Sequence, residues 1–120
     1  MEVTEERHIK SGTEYNHLFP KSKGEVVVIK RYAKLEDTIK FLPNAIGKTL
    51  NQTKLIAPVL THETPYETCK NIWEFVFDHI EYRKDETGKE QIQSPQYTWA
   101  VRKGDCDDYT VMIVSILRNL

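Results

Sequence analysis

The chain has 120 residues, enough for one small domain with a core of its own. Its 17 Lys and Arg stand against 18 Asp and Glu, a net charge of −1, which leaves no basic footprint for nucleic acid or an anionic membrane surface. No stretch approaches the roughly 20 apolar residues of a membrane helix, and the charged opening MEVTEERHIK lacks the apolar run of a secretory signal.

Residues 1–24 are polar and carry Gly12, Pro20 and Gly24 as breakers, so they read as an N-terminal arm or irregular lead-in. Residues 25–32, EVVVIKRY, are β-branched and read as a strand. In 35–60, Leu35, Ile39 and Leu42 suit one helical face, and Pro43 is expected to break it. Ile46, Leu50, Ile56, Val59 and Leu60 suggest a second helix, with Pro58 disturbing its last turn. The clearest helix covers 64–82. Thr64 is a natural N-cap, Pro65 fits the first position, and Glu67 is placed for a capping box. Cys69, Ile72, Trp73, Val76 and Ile80 follow as one apolar stripe, which makes Cys69 a core thiol.

Residues 83–104 read as a loop. Asp85 to Gly88 form a turn signal, and Ser94-Pro95 forces extended backbone. A second strong helix runs from about Asp105 to the end, with Tyr109, Met112, Ile113, Ile116, Leu117 and Leu120 on one face. That stripe is long for one neighbouring helix to cover, so a weak homodimer is expected.

The two cysteines, Cys69 and Cys106, share no CxxC spacing, against zinc-knuckle and thioredoxin readings. With no export signal visible, two free thiols in a reducing cytoplasm are expected over a disulfide. No metal and no cofactor is expected.

The chemistry concentrates in Gly104-Asp105-Cys106-Asp107-Asp108. Gly104 allows a tight turn and close approach of a substrate backbone. Asp105 is a candidate N-cap, and Asp108 lies near the unpaired first amides of the helix. Cys106 sits in the first turn, where the helix end favours the thiolate by about 0.3–1 kcal/mol. The three aspartates oppose that, so the thiol needs a cationic partner, normally an imidazole. Spacing alone leaves two readings open, a nucleophile and a buried thiol packing with Tyr109 and Ile113.

The stretch also resembles the first half of the transglutaminase-like superfamily core, within the papain-like cysteine-enzyme group. Ile80-Glu81-Tyr82 resembles a helix-end I-x-Y before a polar turn at Asp85 and Gly88. Gln93-Ser94-Pro95 resembles a Q-x-P ahead of the nucleophile, and Gly104 to Asp108 with the following helix resembles the nucleophile motif. The resemblance covers residues 64–120. It implies a helix-dominated α+β fold, a truncated papain-like core with a central nucleophile helix and the 64–82 helix against it. It implies 25–120 as the N-terminal portion of that domain.

By the same resemblance Cys106 attacks a glutamine side-chain amide or a peptide carbonyl of a protein or peptide substrate, forming a thioester that water or an amine resolves. The Cys106 amide and, more weakly, the Gln93 side chain are oxyanion candidates, with Gly104, Asp105, Asp107 and Asp108 supporting the nucleophile loop. The family's His and Asp lie on strands after the nucleophile helix. The sequence reading therefore expects a truncated, inactive chain, or else a non-catalytic interaction or structural module retaining the scaffold. His8, His17, His62 and His79 all precede Cys106, and His79 reads as solvated. Trp73, Phe75 and Phe77 read as core and flank, Tyr97 and Trp99 as packing, and Arg102-Lys103 as a solvated turn.

Overall fold

A computed structural model describes residues 8–22, 26–31, 35–84 and 89–120. The Gly24 and Asp85–Gly88 turn signals, and the side chains of Leu35 and Ile39, lie outside what it describes. Helices dominate. In chain order the elements are β1 (Val26–Arg31), α1 (Leu35–Lys48), α2 (Ile56–Leu60), α3 (Pro65–His79), β2 (Glu81–Tyr82), β3 (Lys89–Gln93), α4 (Pro95–Val101), β4 (Lys103–Gly104) and α5 (Cys106–Arg118). Tight 3-10 turns form at Thr13–Leu18 and Leu50–Gln52.

Two small sheets flank the helices. β1 pairs antiparallel with β3, Val27 opposite Ile92, with a bulge between Val28 and Arg31. β2 pairs parallel with β4, Glu81 opposite Lys103 and Tyr82 opposite Gly104.

α3 begins as its sequence requires. The Thr64 hydroxyl accepts from the Glu67 amide at 3.1 Å, and Pro65 takes the first position. Only half of the expected capping box forms, because the Glu67 carboxylate turns to His62 instead. The buried face is also rotated from the expected stripe. It holds Thr68, Ile72, Phe75, Val76 and His79, while Cys69, Trp73 and Phe77 are exposed. Hydropathy alone passed over Thr68 and His79, whose polar atoms are satisfied locally. Thr68 Oγ1 accepts from the His62 amide at 2.9 Å, and His79 Nδ1 lies 2.7 Å from the Phe75 carbonyl.

α1 runs straight through Pro43, contrary to the expected break. Proline removes one amide donor, but Leu42, Ala45 and Ile46 pack on Ile92 and Val111, and that packing outweighs one lost bond. The expected helix over 46–60 becomes the Leu50–Gln52 turn and the short α2. Pro58 is third in α2, where no intrahelical donor is needed, so it disturbs nothing. The expected loop over 83–104 holds β3, α4 and β4. Ser94 is extended as read, but its hydroxyl then caps α4 by accepting from the Tyr97 amide, with Pro95 first in the helix.

α5 is central and packs against α1, α3 and α4. Met112 and Ile116 join Ile72, Phe75, Val76 and Ile80 on one side, and Val111 joins Ile46 and Ile92 on the other. Ile72, Val76, Ile80, Met112 and Ile116 are at most 1% exposed, each worth roughly 1.5–3 kcal/mol in burial. Leu117 and Leu120 stay exposed beside α3. The N-terminal segment joins the same core: Phe19 is buried, stacked on Trp99 at 4.7 Å between ring centroids, with Tyr15 and Leu18 packed alongside.

Candidate active site around Cys106

α4 ends at Arg102, which adopts the left-handed conformation at φ 59 and turns the chain into β4. Two backbone bonds fix that strand: the Glu81 amide donates to the Arg102 carbonyl at 2.8 Å, and the Arg83 amide to the Gly104 carbonyl at 2.7 Å. Asp105 then caps α5. Its Oδ1 accepts from the amides of Asp107 at 3.1 Å and Asp108 at 3.3 Å. Asp108 reciprocates, accepting the Asp105 amide on Oδ2 at 3.0 Å, which completes a capping box. Its Oδ1 accepts the Gln93 amide at 2.8 Å, so one carboxyl ties β3 to the first turn of α5.

Gly104 has a different purpose from the one its sequence suggests. Its φ is not positive. It is glycine because a Cβ there would stand 2.8 Å from Asp108 Cβ and 3.0 Å from Asp108 Oδ2. What approaches it closely is Asp108.

Cys106 opens α5 and is exposed. Partial desolvation, then the carboxylates of Asp107 and Asp105, raise its thiol above the ordinary value, while the amides of Asp107 and Cys106 pull it the other way. The S–H points loosely at Asp107 Oδ1, 3.9 Å away. Burial pushes Asp108 up to about 8, against the two amide bonds that favour its charged form. Ligand atoms of Asp105, Cys106 and Asp107 lie within 4.8 Å of one another, a spacing a cation can bridge, although Asp105 Oδ1 is already taken by two amides.

The four histidines are placed elsewhere. His79, expected in solvent, is 5% exposed in an aromatic cage of Tyr15, Phe75 and Trp99. His62 pairs with Glu67 at the start of α3. His8 and His17 are exposed on the N-terminal segment. Cys69, expected in the core, is exposed and free, as is Cys106.

Gln93 reaches the loop before Cys106, but its Nε2 hydrogens go to Thr98 Oγ1 at 3.1 Å and the Lys103 carbonyl at 2.9 Å. In this conformation it braces the loop. Arg102, expected in a solvated turn, lies over the Trp99 ring at 3.6 Å and donates from Nε to the Trp99 carbonyl at 2.7 Å. Sequence reasoning gave Tyr82 no role. Its ring stands edge-to-face on Tyr109, centroids 5.9 Å apart, beside the first turn of α5. The available signal was the Ile80-Glu81-Tyr82 segment at the helix end.

Among the described residues no helix is long and apolar enough to cross a membrane. No curated protein and no solved structure gives a significant match to the chain. The family model described as the transglutaminase-like superfamily matches residues 53–120, which spans α2 to α5 with Cys106 and the capping box inside it, and with more than half of its length covered the chain belongs to that superfamily.

Proposed function

We propose that Cys106 is the nucleophile of a transglutaminase-like cysteine protease or amidase/transamidase, acting on a peptide or glutamine carboxamide. The thiolate sulfur bonds to the carbonyl carbon. The C–N bond breaks, the amine leaves with a proton delivered by an imidazolium, and water or a second amine cleaves the thioester. One observation carries this reading: the thiol is exposed at the first position of α5, directly after the Asp105 cap that fixes the helix start. The Cys106 N–H is where an oxyanion would be held, since the Asp107 N–H is given to Asp105 Oδ1.

The base is a separate matter. His79 is spent on the Phe75 carbonyl and His62 on Glu67, and Asp107 and Asp105 raise the thiol. In this conformation the 120-residue chain is expected to turn over amide substrates no better than Cys106→Ala, which an assay of amine release checks. The same acidic surroundings favour a second reading, a non-catalytic module that keeps the scaffold.

Acylation separates the two readings, because it passes through an oxyanion and alkylation does not. Each cysteine is treated with p-nitrophenyl acetate in imidazole buffer and, separately, with iodoacetamide, and labels are located by mass spectrometry. The ratio of acylation to alkylation rate is expected to be about tenfold or more higher at Cys106 than at mid-helix Cys69. Equal ratios would leave the scaffold reading in possession. Association through exposed Leu117 and Leu120 would give the weak homodimer, which light scattering over a concentration series detects.

A further inference from the structure

Tyr82 reaches the neighbourhood of the thiol by two separate geometric routes. In the β2–β4 ladder it stands opposite Gly104, two residues before Cys106, and the next amide along, that of Arg83, donates to the Gly104 carbonyl at 2.7 Å. Its ring also stands edge-to-face on Tyr109, at 72°. Tyr109 lies three residues after Cys106, about one turn along the same helix, and its hydroxyl donates back to the Ile80 carbonyl at the root of β2. The strand thus fixes the Tyr82 backbone, and the helix gives its ring a neighbour in Tyr109. Yet the residue is 51% exposed. A large aromatic ring, fixed in place with an open face, makes contact at small entropic cost.

Electrostatics agrees with the placement. Partial desolvation, then the charges of Cys106, Asp105 and Asp107, raise the Tyr82 phenol. The charges that act on the thiol act on this ring too.

We propose that Tyr82 is a substrate-positioning residue whose ring face supports the flat or apolar group adjacent to the reacting carbonyl of an acyl donor. The inference rests on Cys106 being the nucleophile. It narrows the substrate class to donors that carry an apolar or planar group beside the scissile amide. The ring carries this contact and the hydroxyl does not, so phenylalanine serves as well.

The test uses the whole chain and its two thiols. Iodoacetamide and N-benzyliodoacetamide are compared at pH 9, with each modified site assigned by mass spectrometry. The preference for the benzyl reagent is expected to be about two- to tenfold greater at Cys106 than at Cys69 in the wild type. Tyr82→Ala brings the Cys106 preference down to that of Cys69, and Tyr82→Phe retains it. Should the alanine variant unfold by circular dichroism, Tyr82→Gln, which keeps length without a ring, takes its place. Equal preferences at the two cysteines in the wild type, a preference that survives loss of the ring, or one lost in Tyr82→Phe would each overturn the proposal. All three outcomes leave the contrast between acylation and alkylation at Cys106 untouched, so the nucleophile reading stands or falls separately.

Discussion

Two regions on opposite ends of the α4–β4 connection use polar groups in opposite ways. Around His79 the polar groups are turned onto one another. The imidazole faces the Phe75 carbonyl, the Trp99 indole N–H donates to Asn16 Oδ1 at 3.0 Å, and Arg102 lies over the Trp99 ring. Around Cys106 the buried polar groups are just as satisfied, but they hold one thiol outward. Asp105 and Asp108 close the cap, and the thiol is left on the surface. A histidine and a cysteine in one small domain suggest a catalytic pair. The comparison shows that one is a structural residue, held by an aromatic cage, and the other is displayed.

The largest expected effect breaks the cage. Gly12 has φ +59, and a Cβ there would meet His79 Cδ2 at 2.6 Å and Trp99 Cη2 at 2.9 Å. Gly12→Ala adds a left-handed backbone penalty to overpacking and is expected to cost about 2–4 kcal/mol. Urea unfolding measures it. A loss below about 0.5 kcal/mol would mean that the N-terminal segment does not hold His79 in place.

The cage and the thiol turn were unequally legible in the sequence. The cap at Asp105 and the position of Cys106 follow from short-range rules, because a cap and its helix are adjacent residues, whereas the central place of α5 is implied only by the family resemblance. The Thr64-Pro65 start was read for the same reason. Ser94-Pro95 follows the same rule but gives a weaker signal, because α4 has only seven residues and no acid at its third position. The cage was not legible at all. Asn16 meets Trp99 across 83 positions and Arg102 across 86, and periodicity carries no information at that range. Nor does it tell a polar residue inside a helix face from one outside it, so Thr68 and His79 take the buried places that periodicity assigns to Cys69 and Trp73. Pro43 failed differently: a local rule was overridden by packing on Ile92 and Val111.

Smaller effects sharpen the thiol side of the comparison. Gly104→Ala pushes a methyl group against Asp108 and is expected to destabilise the chain by about 1–3 kcal/mol, with Cys106 labelling altered as the cap shifts. Asp108 also gives a pH signature. Burial raises it to about 8 in the folded chain, against about 3.9 when unfolded. Between those values the folded state holds a proton that the unfolded state has released. Stability is therefore greatest at the acid end of that window and falls as pH rises toward 8, by at most about 1.4 kcal/mol per pH unit. Asp108→Asn denies an acceptor to one of the two amides, which costs about 1–3 kcal/mol at pH 5, and it flattens this slope. An unchanged slope in that variant would assign the pH dependence to another group.

The smallest effect concerns the thiols themselves. A core Cys69 and a displayed Cys106 would make Cys106 the faster to alkylate. The fold removes that contrast, because both are exposed and the Cys106 thiol is raised by Asp107 and Asp105. At pH 7.5 iodoacetamide is expected to label Cys69 at least as fast as Cys106. Raising the pH then favours Cys106, as its thiolate fraction grows through a higher titration range. Asp107→Asn removes one carboxylate from beside the sulfur. Interactions between partly exposed charges are worth about 0.2–1 kcal/mol, so Cys106 labelling at pH 7.5 is expected to rise by about 1.4- to fivefold while Cys69 is unchanged. Faster labelling of wild-type Cys106 at pH 7.5 would mean that a cation reaches the thiol and outweighs the two carboxylates. In that event His8 and His17, the two exposed histidines of the N-terminal segment, are the first to replace, since His79 and His62 are already bound elsewhere.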